Sequence, residues 1–287
     1  MPPIALIMCS DISSFINQNK WDYTTSFIKL WKKYDVLNYN LCETTCKCLT
    51  DNNKYIDKNK ELEKNIGKEL IDQIKTTTHT VFDIQKNIKK TNEIINELII
   101  PEKEKEELQE NVLSVVNTCH GINNENSALE LYEKQKNVVL DKIQQTQKIK
   151  IYQTELFEWF LIGKVDGKLL KDNSLEKIIE VKTRSYCFFK NVREYENTQI
   201  QMYMHLFNIS LADLVEYYGS KIKITEIQKN QKIIDTILSN LVIFITEFEK
   251  FIKVSFEEKL LFYKMSDIDK KEFLSEMYLE KMHENSI

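Results

Sequence analysis

The sequence predicts a mixed α/β (α+β) protein, in which a central mixed sheet is flanked by helices and a long helical insertion interrupts the fold. Helix-spaced apolar residues lie near both ends of the chain, and strand-like runs occupy its middle. A segment rich in Lys, Glu, Asn and Ile separates the first helices from those strands. We therefore expect N-terminal helices over 1–50, a helical insertion over 51–119, and a core with C-terminal helices over 120–287.

The first part carries two helical patterns. Apolar side chains recur every three or four residues in Ser10–Asn17 and again in Thr24–Tyr34. Ser10 or Asp11 occupies the position of an N-cap. Both helices are predicted to pack on the core of the protein.

The second part is predicted to form two or three long helices, which Pro101 divides. Its apolar residues are spaced three or four apart, as an antiparallel helical hairpin requires, and include Leu62, Ile66, Leu70, Ile74, Val81, Ile84, Ile88, Ile94 and Leu98. A structural role is favoured over a binding role, because a charged run is usually a solvated face.

The third part alternates between helix and strand. It begins with a helix over 126–136, strand-like runs within 148–163, a turn at Asp166–Gly167 and a strand over 177–183. Further along we predict a helix over 191–208, strands over 211–218 and 221–227, and helices over 232–253, 256–264 and 267–283. Together these elements predict the mixed sheet.

The composition is typical of a globular protein in an intracellular, reducing compartment. No apolar stretch approaches the roughly 20 residues that span a bilayer, so no membrane partner is expected. The N-terminus lacks the basic region and cleavage site of a secretory signal. Six cysteines are predicted to be free thiols. A metal site among Cys42, Cys46 and Cys48 is disfavoured, because their spacing is not that of paired C-x-x-C motifs. The net charge of −4 excludes a uniformly basic protein but permits local basic patches.

The residues best suited to chemistry lie around the turn at Asp166. Glu180 and Lys182 are two apart in the next predicted strand, so their side chains project from the same face. If the strand that carries Asp166 at its end pairs with that next strand, the three side chains converge. Two carboxylates and a main-chain carbonyl, such as that of Val181, suit Mg²⁺ or Mn²⁺. Such an ion supports phosphodiester hydrolysis. The alternative interpretation of the same residues is a surface hairpin of alternating charge.

Together with further segments, these residues resemble the PD-(D/E)XK nuclease superfamily, most closely its lambda exonuclease-like (YqaJ, viral recombinase) branch. Asp166 and Glu180 match the two metal carboxylates of the family, and Lys182 matches its lysine. The segment from Gly121 to Ala128, followed by Leu131 and Tyr132, is similar to a helix motif of glycine, glutamate, alanine and aromatic residue. The resemblance implies a metal- or water-binding role for Glu125.

Two further segments extend the resemblance. Gln199 and Tyr203 resemble the Q-x-x-x-Y pattern of this branch and of RecB-type nucleases, in which the glutamine contacts the active site or DNA; Gln201 is the second match. By itself, Tyr203 is predicted to belong to the core. The N-terminal Cys-Ser-Asp-Ile segment, with Asn17 and Trp21 after it, is similar to the S-(D/E)-I segment that opens the family. This similarity implies that Ser10 helps to hold DNA.

Two departures limit what the resemblance implies. Val165 replaces the proline of the family name, and no basic residue precedes Ser10 where lambda-type enzymes carry an arginine for the 5′-phosphate. A 5′ to 3′ polarity is therefore not implied. Only Cys187 follows Lys182, so we expect no iron–sulfur cluster of the kind that some RecB-type nucleases bind.

The leading hypothesis is a Mg²⁺- or Mn²⁺-dependent deoxyribonuclease with a restriction-endonuclease-like fold. The resemblance implies an exonuclease of lambda type in recombination, replication or defence against foreign DNA. Its partners would be DNA, further copies of the chain in a dimer or ring, and a helicase. Arg184, Lys190 and Arg193 are predicted to meet the phosphate backbone. The abundance of lysine, asparagine and isoleucine codons indicates an AT-rich genome, which with this branch suggests a large DNA virus.

Two alternatives stay open at this point. One is a DNA- or helicase-binding module on a nuclease fold, with the insertion as a docking element or DNA clamp. The other is a helical scaffold in which the motif is coincidental. The scaffold hypothesis requires almost no β structure.

Overall fold

The computed structural model of the protein describes residues 2–19, 23–49, 58–172 and 174–284. Within them, helices surround two mixed β-sheets, which confirms the predicted mixed α/β class and contradicts the helical-scaffold hypothesis. Trp21 and the first residues of the predicted insertion, 51–57, lie outside the described residues, as does the side chain of Cys48.

The strands are β1 (Ile4–Met8), β2 (Leu140–Asp141), β3 (Gln147–Gln153), β4 (Glu158–Gly163), β5 (Gly167–Lys171), β6 (Ser174–Thr183), β7 (Leu211–Tyr218) and β8 (Lys221–Gln228). The first seven helices are α1 (Ile12–Phe15), α2 (Tyr23–Tyr34), α3 (Val36–Leu49), α4 (Lys58–Ile66), α5 (Lys68–Thr77), α6 (Val81–Glu97) and α7 (Glu102–Lys136). They are followed by α8 (Glu194–Leu206), α9 (Gln231–Lys253), α10 (Phe256–Lys264), α11 (Asp267–Leu274), a π-helical turn (Ser275–Leu279) and α12 (Glu280–Glu284).

The strands form two sheets rather than the single central sheet that we predicted. The smaller sheet has the order β1-β4-β3, with β1 parallel to β4 and β3 antiparallel to it. The larger has the order β2-β5-β6-β7-β8, in which β6 and β7 are parallel and the other pairs are antiparallel. The chain passes from one sheet to the other between β4 and β5, so the link 164–166 carries Asp166.

Helix α8 packs closely against the end of β4. A β-carbon added at Gly163 would lie 2.6 Å from the ring carbon Cε1 of Tyr203, which no real side chain tolerates. The glycine therefore permits the close approach of α8 to the link between the sheets.

An aromatic cluster holds the N-terminal helices against the C-terminal ones. The ring of Phe27, on α2, makes edge contacts with the rings of Phe244, Phe248, Phe251 and Phe262, on α9 and α10. All five side chains are buried. The predicted packing of the N-terminal helices on the core is therefore confirmed.

Helix α7 joins the helical insertion to the rest of the protein. Its first half completes a separate apolar core with α4, α5 and α6, formed by Leu62, Ile66, Ile71, Ile74, Ile84, Ile95, Leu108, Val112 and Val116. Its second half lays Ala128, Leu129 and Tyr132 on the larger sheet. The insertion thus consists of four helical segments, and the boundary predicted at 119/120 falls inside one continuous helix.

Within the part of the chain that the structure describes, the sequence patterns missed four elements. They are the strands β1, β2 and β5 and the helix α3. The strands are short and α3 is weakly amphipathic, so their local pattern was a weak signal. Among the described residues, no helix is long and apolar enough to cross a membrane.

Replacement of Phe27 by alanine should strongly destabilise the protein, because its cavity would lie among four other aromatic rings. Large-to-small changes at such positions cost about 3–5 kcal/mol. Urea unfolding followed by circular dichroism measures the loss. The matched control is Phe82→Ala, since Phe82 is 71% exposed on α6 and should lose less than about 0.5 kcal/mol. Equal losses in both variants would contradict this packing.

Candidate active site

The residues predicted around Asp166 lie together in the structure. The strand that pairs with β6 is β5, which follows Asp166, and not the preceding strand as predicted, because β4 belongs to the other sheet. Gly167 lies opposite Ile179, and one step further Asp166 lies beside Glu180. The main-chain nitrogen of Val181 donates a hydrogen bond of 2.7 Å to Oδ2 of Asp166. Because the N–H and C=O groups of one strand residue point to the same side, the carbonyl of Val181 also faces the side of Asp166.

Lys182 and Gln199 close the site from the other side. Nζ of Lys182 donates to Oε1 of Glu180 at 2.8 Å and to Oε1 of Gln199 at 3.0 Å. Nε2 of Gln199 donates to the same Glu180 oxygen at 2.9 Å and to the hydroxyl oxygen of Tyr203 at 3.0 Å. The three side chains form a closed hydrogen-bonded triangle, which helix α8 completes by carrying Gln199.

The site holds more negative charge than its own cations offset. Burial, and then the charge of Glu180, raises the pKa of Asp166 to about 8. The same two causes raise the pKa of Glu125. Burial alone would lower the pKa of Lys182, but the carboxylates of Glu180 and Asp166 outweigh it and raise the pKa, so Lys182 stays protonated.

One carboxylate oxygen in this cluster is left without a partner. Oε2 of Glu180 is buried and accepts no hydrogen bond from the residues that the structure describes, although Oε1 of the same group accepts two. Buried carboxylate oxygens are normally satisfied by a hydrogen bond or by a cation. Such an oxygen beside Asp166 is what a divalent cation would complete.

Glu125 approaches the cluster from helix α7. Its Oε1 accepts a hydrogen bond of 2.6 Å from Nε2 of Gln144, in the connection between β2 and β3. The charges of Lys164 and Lys182 act to lower its pKa, which places both lysines near the carboxylate. Sequence reasoning missed Gln144 and Lys164, since neither belongs to a recognisable motif.

The donor set fits a partial metal shell rather than a closed cage. Among the residues that the structure describes, no group of three or more His, Cys, Asp or Glu side chains forms a ready metal site. Asp166, Glu180 and the carbonyl of Val181 offer only oxygen, the donor that Mg²⁺ and Mn²⁺ prefer. Magnesium is commonly held by one or two carboxylates, with water and substrate phosphate completing its shell.

Arg184 has a different place from the one predicted. Its guanidinium is buried, with Nη1 and Nη2 donating to Glu196 at 2.6 and 3.1 Å and Nε donating to Glu216 at 2.8 Å. Strand alternation correctly put it on the face of Lys182, but two acidic partners from α8 and β7 enclose it. Arg184 therefore stabilises the fold beside the site and presents no free guanidinium to a phosphate.

Gln201 also lies away from any surface that DNA could reach. It is buried, its Nε2 donates to the carbonyl of Gln228, and its Oε1 accepts from the main-chain nitrogen of Asn230. Gln199 and Gln201, both on helix α8, were the two candidates in the sequence for the glutamine that contacts the active site or DNA. The helix turns Gln199 toward the site and Gln201 toward the end of β8, because residues two apart lie on different helix faces.

The other predicted DNA contacts are exposed. Ser10, Lys190 and Arg193 all face solvent, and Arg193 lies with its guanidinium carbon 4.3 Å from the ring centre of Phe189. Ser10 follows Cys9, whose buried thiol has a pKa raised by burial and by the charge of Glu180. The segment therefore begins near the site, and the DNA-binding roles of these three residues stay predictions.

Comparison with known proteins gives distant structural neighbours. No protein-family profile and no curated sequence matches the chain. An alkaline exonuclease (LHK-Exo) from Laribacter hongkongensis aligns at 15% identity and TM-score 0.37, covering 60% of this chain and 82% of that one. The same exonuclease in complex with dAMP aligns at 13% identity and TM-score 0.37, covering 64% and 87%. A phage-related exonuclease from Haemophilus somnus 129PT aligns at 19% identity and TM-score 0.33, covering 42% and 65%. At these scores the alignments establish no common fold.

The raised pKa of Asp166 predicts that the metal-free protein loses stability as the pH rises. Below the ordinary value of 3.8 the carboxyl is protonated in both the folded and the unfolded state. Between 3.8 and about 8 only the folded state keeps the proton, so unfolding releases it and a higher pH favours unfolding. Above a pH of about 8 the carboxyl is ionised in both states, so the loss of stability does not increase further.

The measurement is the free energy of unfolding in EDTA from pH 4 to pH 9, for the wild type and for Asp166→Asn. The free energy of unfolding of the wild type should decrease relative to that of the variant by up to roughly 1.4 kcal/mol per pH unit. Mg²⁺ or Mn²⁺ should stabilise the wild type more at pH 8 than at pH 5, because protons compete with the ion for Asp166. Parallel curves for the two proteins would show that Asp166 is not perturbed.

Replacement of Arg184 by alanine should unfold much of the protein, because it leaves Glu196 and Glu216 buried without their main cation. Breaking a buried ion pair on one side costs about 3–5 kcal/mol. Arg193→Ala is the matched control, since Arg193 is exposed and should cost less than about 1 kcal/mol. Urea unfolding of the two variants compares them directly. A stable Arg184 variant would favour the surface role predicted from the sequence.

Proposed function

We propose that this chain is a divalent-metal-dependent nuclease that hydrolyses phosphodiester bonds in DNA. One observation carries the proposal: Asp166 and Glu180 lie side by side, and Glu180 is locked to Lys182 and Gln199 while its second oxygen lacks a partner. A purely structural lysine–glutamate pair would need neither a second buried carboxylate nor an unsatisfied oxygen.

Each residue of the cluster has a chemical role in this proposal. Asp166, Glu180 and the carbonyl of Val181 would hold the ion, and Glu125 would bind it or orient a water beside it. When bound, Mg²⁺ or Mn²⁺ supplies Lewis acidity toward the phosphate and a water of lowered pKa. Lys182, which the carboxylates keep charged, offsets the negative charge that develops on the phosphate oxygens.

Gln199 holds the side chains of Lys182 and Glu180 in fixed positions relative to each other. Its carbonyl oxygen accepts from Lys182 while its amide nitrogen donates to Glu180 and Tyr203, so one side chain fixes both groups. Lysine side chains are otherwise flexible, and a fixed ammonium group is needed where charge stabilisation depends on position. Gln199 is therefore a positioning residue.

The finer features of the proposal come from the motif resemblance. They are exonuclease action of lambda type, a role in recombination, replication or defence against foreign DNA, and an origin in a large DNA virus. A dimer or ring of this chain, a helicase partner and an intracellular location belong to the same set of predictions. The competing function is a DNA- or helicase-binding module with weak or no catalysis, and the experiment below separates the two.

The test is digestion of linear duplex, single-stranded and closed circular DNA with Mg²⁺, Mn²⁺ or EDTA. Glu180→Gln and Lys182→Met should each slow cleavage at least about a hundredfold, because single charged groups at such sites contribute on the order of 10²–10⁴ in rate. Glu176→Gln is the matched control: it makes the same change of charge on an exposed residue of the same strand and should leave the rate unchanged.

The outcomes separate the proposals. Metal-dependent cleavage that disappears in both site variants supports the nuclease, and attack on the closed circle shows endonuclease action. Folded, pure protein that binds DNA but cleaves none of the three substrates supports the binding module. Cleavage that persists undiminished in Glu180→Gln places the activity elsewhere.

A further inference from the structure

The segment that joins β6 to α8 presents aromatic and basic side chains at the edge of the candidate site. It begins immediately after Thr183, the last residue of the strand that carries Glu180 and Lys182. Tyr186 on this segment is 79% exposed, and Tyr195, in the first turn of α8, is 38% exposed. Lys190 and Arg193 lie between them in the sequence and are also exposed.

The segment is anchored although it is a loop. The ring of Phe189 contacts two guanidinium groups, with the central carbon of Arg184 at 3.9 Å and that of Arg193 at 4.3 Å from the ring centre. The main-chain nitrogen of Phe189 donates to Glu216 at 2.9 Å, and Lys223 donates to its carbonyl. These contacts fix the middle of the segment. Tyr186 and Tyr195 are therefore exposed on either side of an anchored residue.

Tyr195 belongs to the side of α8 that faces the site. It precedes Gln199 by four residues, as Gln199 precedes Tyr203, and residues four apart lie on the same helix face. Burial and the charge of Glu196 raise the pKa of Tyr195, while Arg184, Arg193 and Lys182 act in the opposite direction. Its hydroxyl is therefore close enough to feel the charge of Lys182, and its exposure places it at the entrance of the site.

Exposed aromatic rings interleaved with cations are the surface that unpaired nucleic acid binds. Bases stack on the rings, and lysine or arginine contacts the phosphates. A base inside a duplex already has both faces covered by its neighbours, whereas an unpaired base has a face free for an aromatic side chain. The chemistry of this surface thus favours a single strand over paired DNA.

We propose that Tyr186 and Tyr195 are stacking residues for unpaired bases, which with Lys190 and Arg193 lead a single DNA strand to the Asp166–Glu180 site. The inference rests on the proposed nuclease function and names its substrate as a single strand or the unpaired end of a duplex. It assigns the two tyrosines to binding, in addition to the basic residues.

The test measures binding without cleavage, so that it stands apart from the digestion experiment. A short fluorescein-labelled oligothymidylate and a blunt duplex of two complementary strands, with an equal number of phosphates in total, are titrated with protein in EDTA, and fluorescence anisotropy gives each Kd. Wild-type protein should bind the single strand more tightly. Tyr186→Ala and Tyr195→Ala should each weaken single-strand binding roughly five- to a hundredfold. Tyr195→Phe should bind as the wild type does, because it keeps the ring.

Salt dependence distinguishes stacking from charge. Stacking releases no counterions, so the slope of log Kd against log salt should be unchanged in the tyrosine variants, whereas Arg193→Ala should reduce it by about 0.7. Phe82→Ala, which removes an exposed aromatic ring from the insertion, is the control and should bind normally. Circular dichroism verifies that each variant is folded.

The inference is overturned by any of three results. The first is failure of the wild type to bind the oligothymidylate. The second is binding of the oligothymidylate by the tyrosine variants as tightly as by the wild type. The third is a loss of duplex binding in these variants by the same factor as their loss of single-strand binding. Absence of cleavage by the wild-type protein in the digestion experiment, with its single-strand binding intact, would overturn the nuclease and leave this surface in place. Metal-dependent cleavage by the wild type, together with normal single-strand binding in both tyrosine-to-alanine variants, would support the nuclease and overturn the stacking role of the tyrosines.

Discussion

The arrangement of the site depends on one buried carboxylate, that of Glu180. Its Oε1 accepts hydrogen bonds from Lys182 and Gln199. Burial, and then the charge of Glu180, raises the pKa of Asp166 and of Glu125. A buried negative charge is costly unless cations or donors satisfy it, and here one ammonium and one amide satisfy a single oxygen. The remaining acidic character makes the cluster suited to a divalent cation and hard to explain as part of an ordinary core.

Helix α7 sets the relation between this cluster and the helical insertion. At 35 residues it is about 50 Å long, and it carries Glu125 in the half that packs on the larger sheet. The other half completes the separate apolar core of the insertion. A single uninterrupted helix transmits orientation better than a flexible linker does. The insertion is therefore tied to the element that brings the third carboxylate to the site.

A second charged cluster supports the site without taking part in its chemistry. Arg184 binds Glu196 on α8 and Glu216 on β7, and its planar face lies on Phe189. This cluster fixes the segment after β6 and the start of α8, the helix that presents Gln199. Burial of the guanidinium explains why a basic residue two positions from Lys182 is unavailable to a substrate. The proposed function assigns that role to the exposed cations farther along the segment, Lys190 and Arg193.

Much of the fold and of the site followed from local sequence patterns. The period-two alternation of β6 placed Glu180 and Lys182 on one face, whereas the strand that brings Asp166 beside them is β5, which follows the aspartate, and not the preceding strand as predicted. Most helices and strands beyond residue 147 were predicted within a few residues, because their apolar periodicity is strong. Gln199 was selected through its motif, and the structure places it in the hydrogen-bonded triangle.

Only the tertiary structure decided what depends on partners distant in the chain. Local pattern could not show that Arg184 meets two buried glutamates, that Gln201 turns away from the site, or that Gln144 bonds to Glu125. Nor could it show that the strands divide into two sheets, or that α7 runs through the predicted domain boundary. The sequence by itself determined which side chains share a face, since that follows from backbone periodicity. Which of those faces meets solvent, a counter-charge or another helix is set by long-range packing.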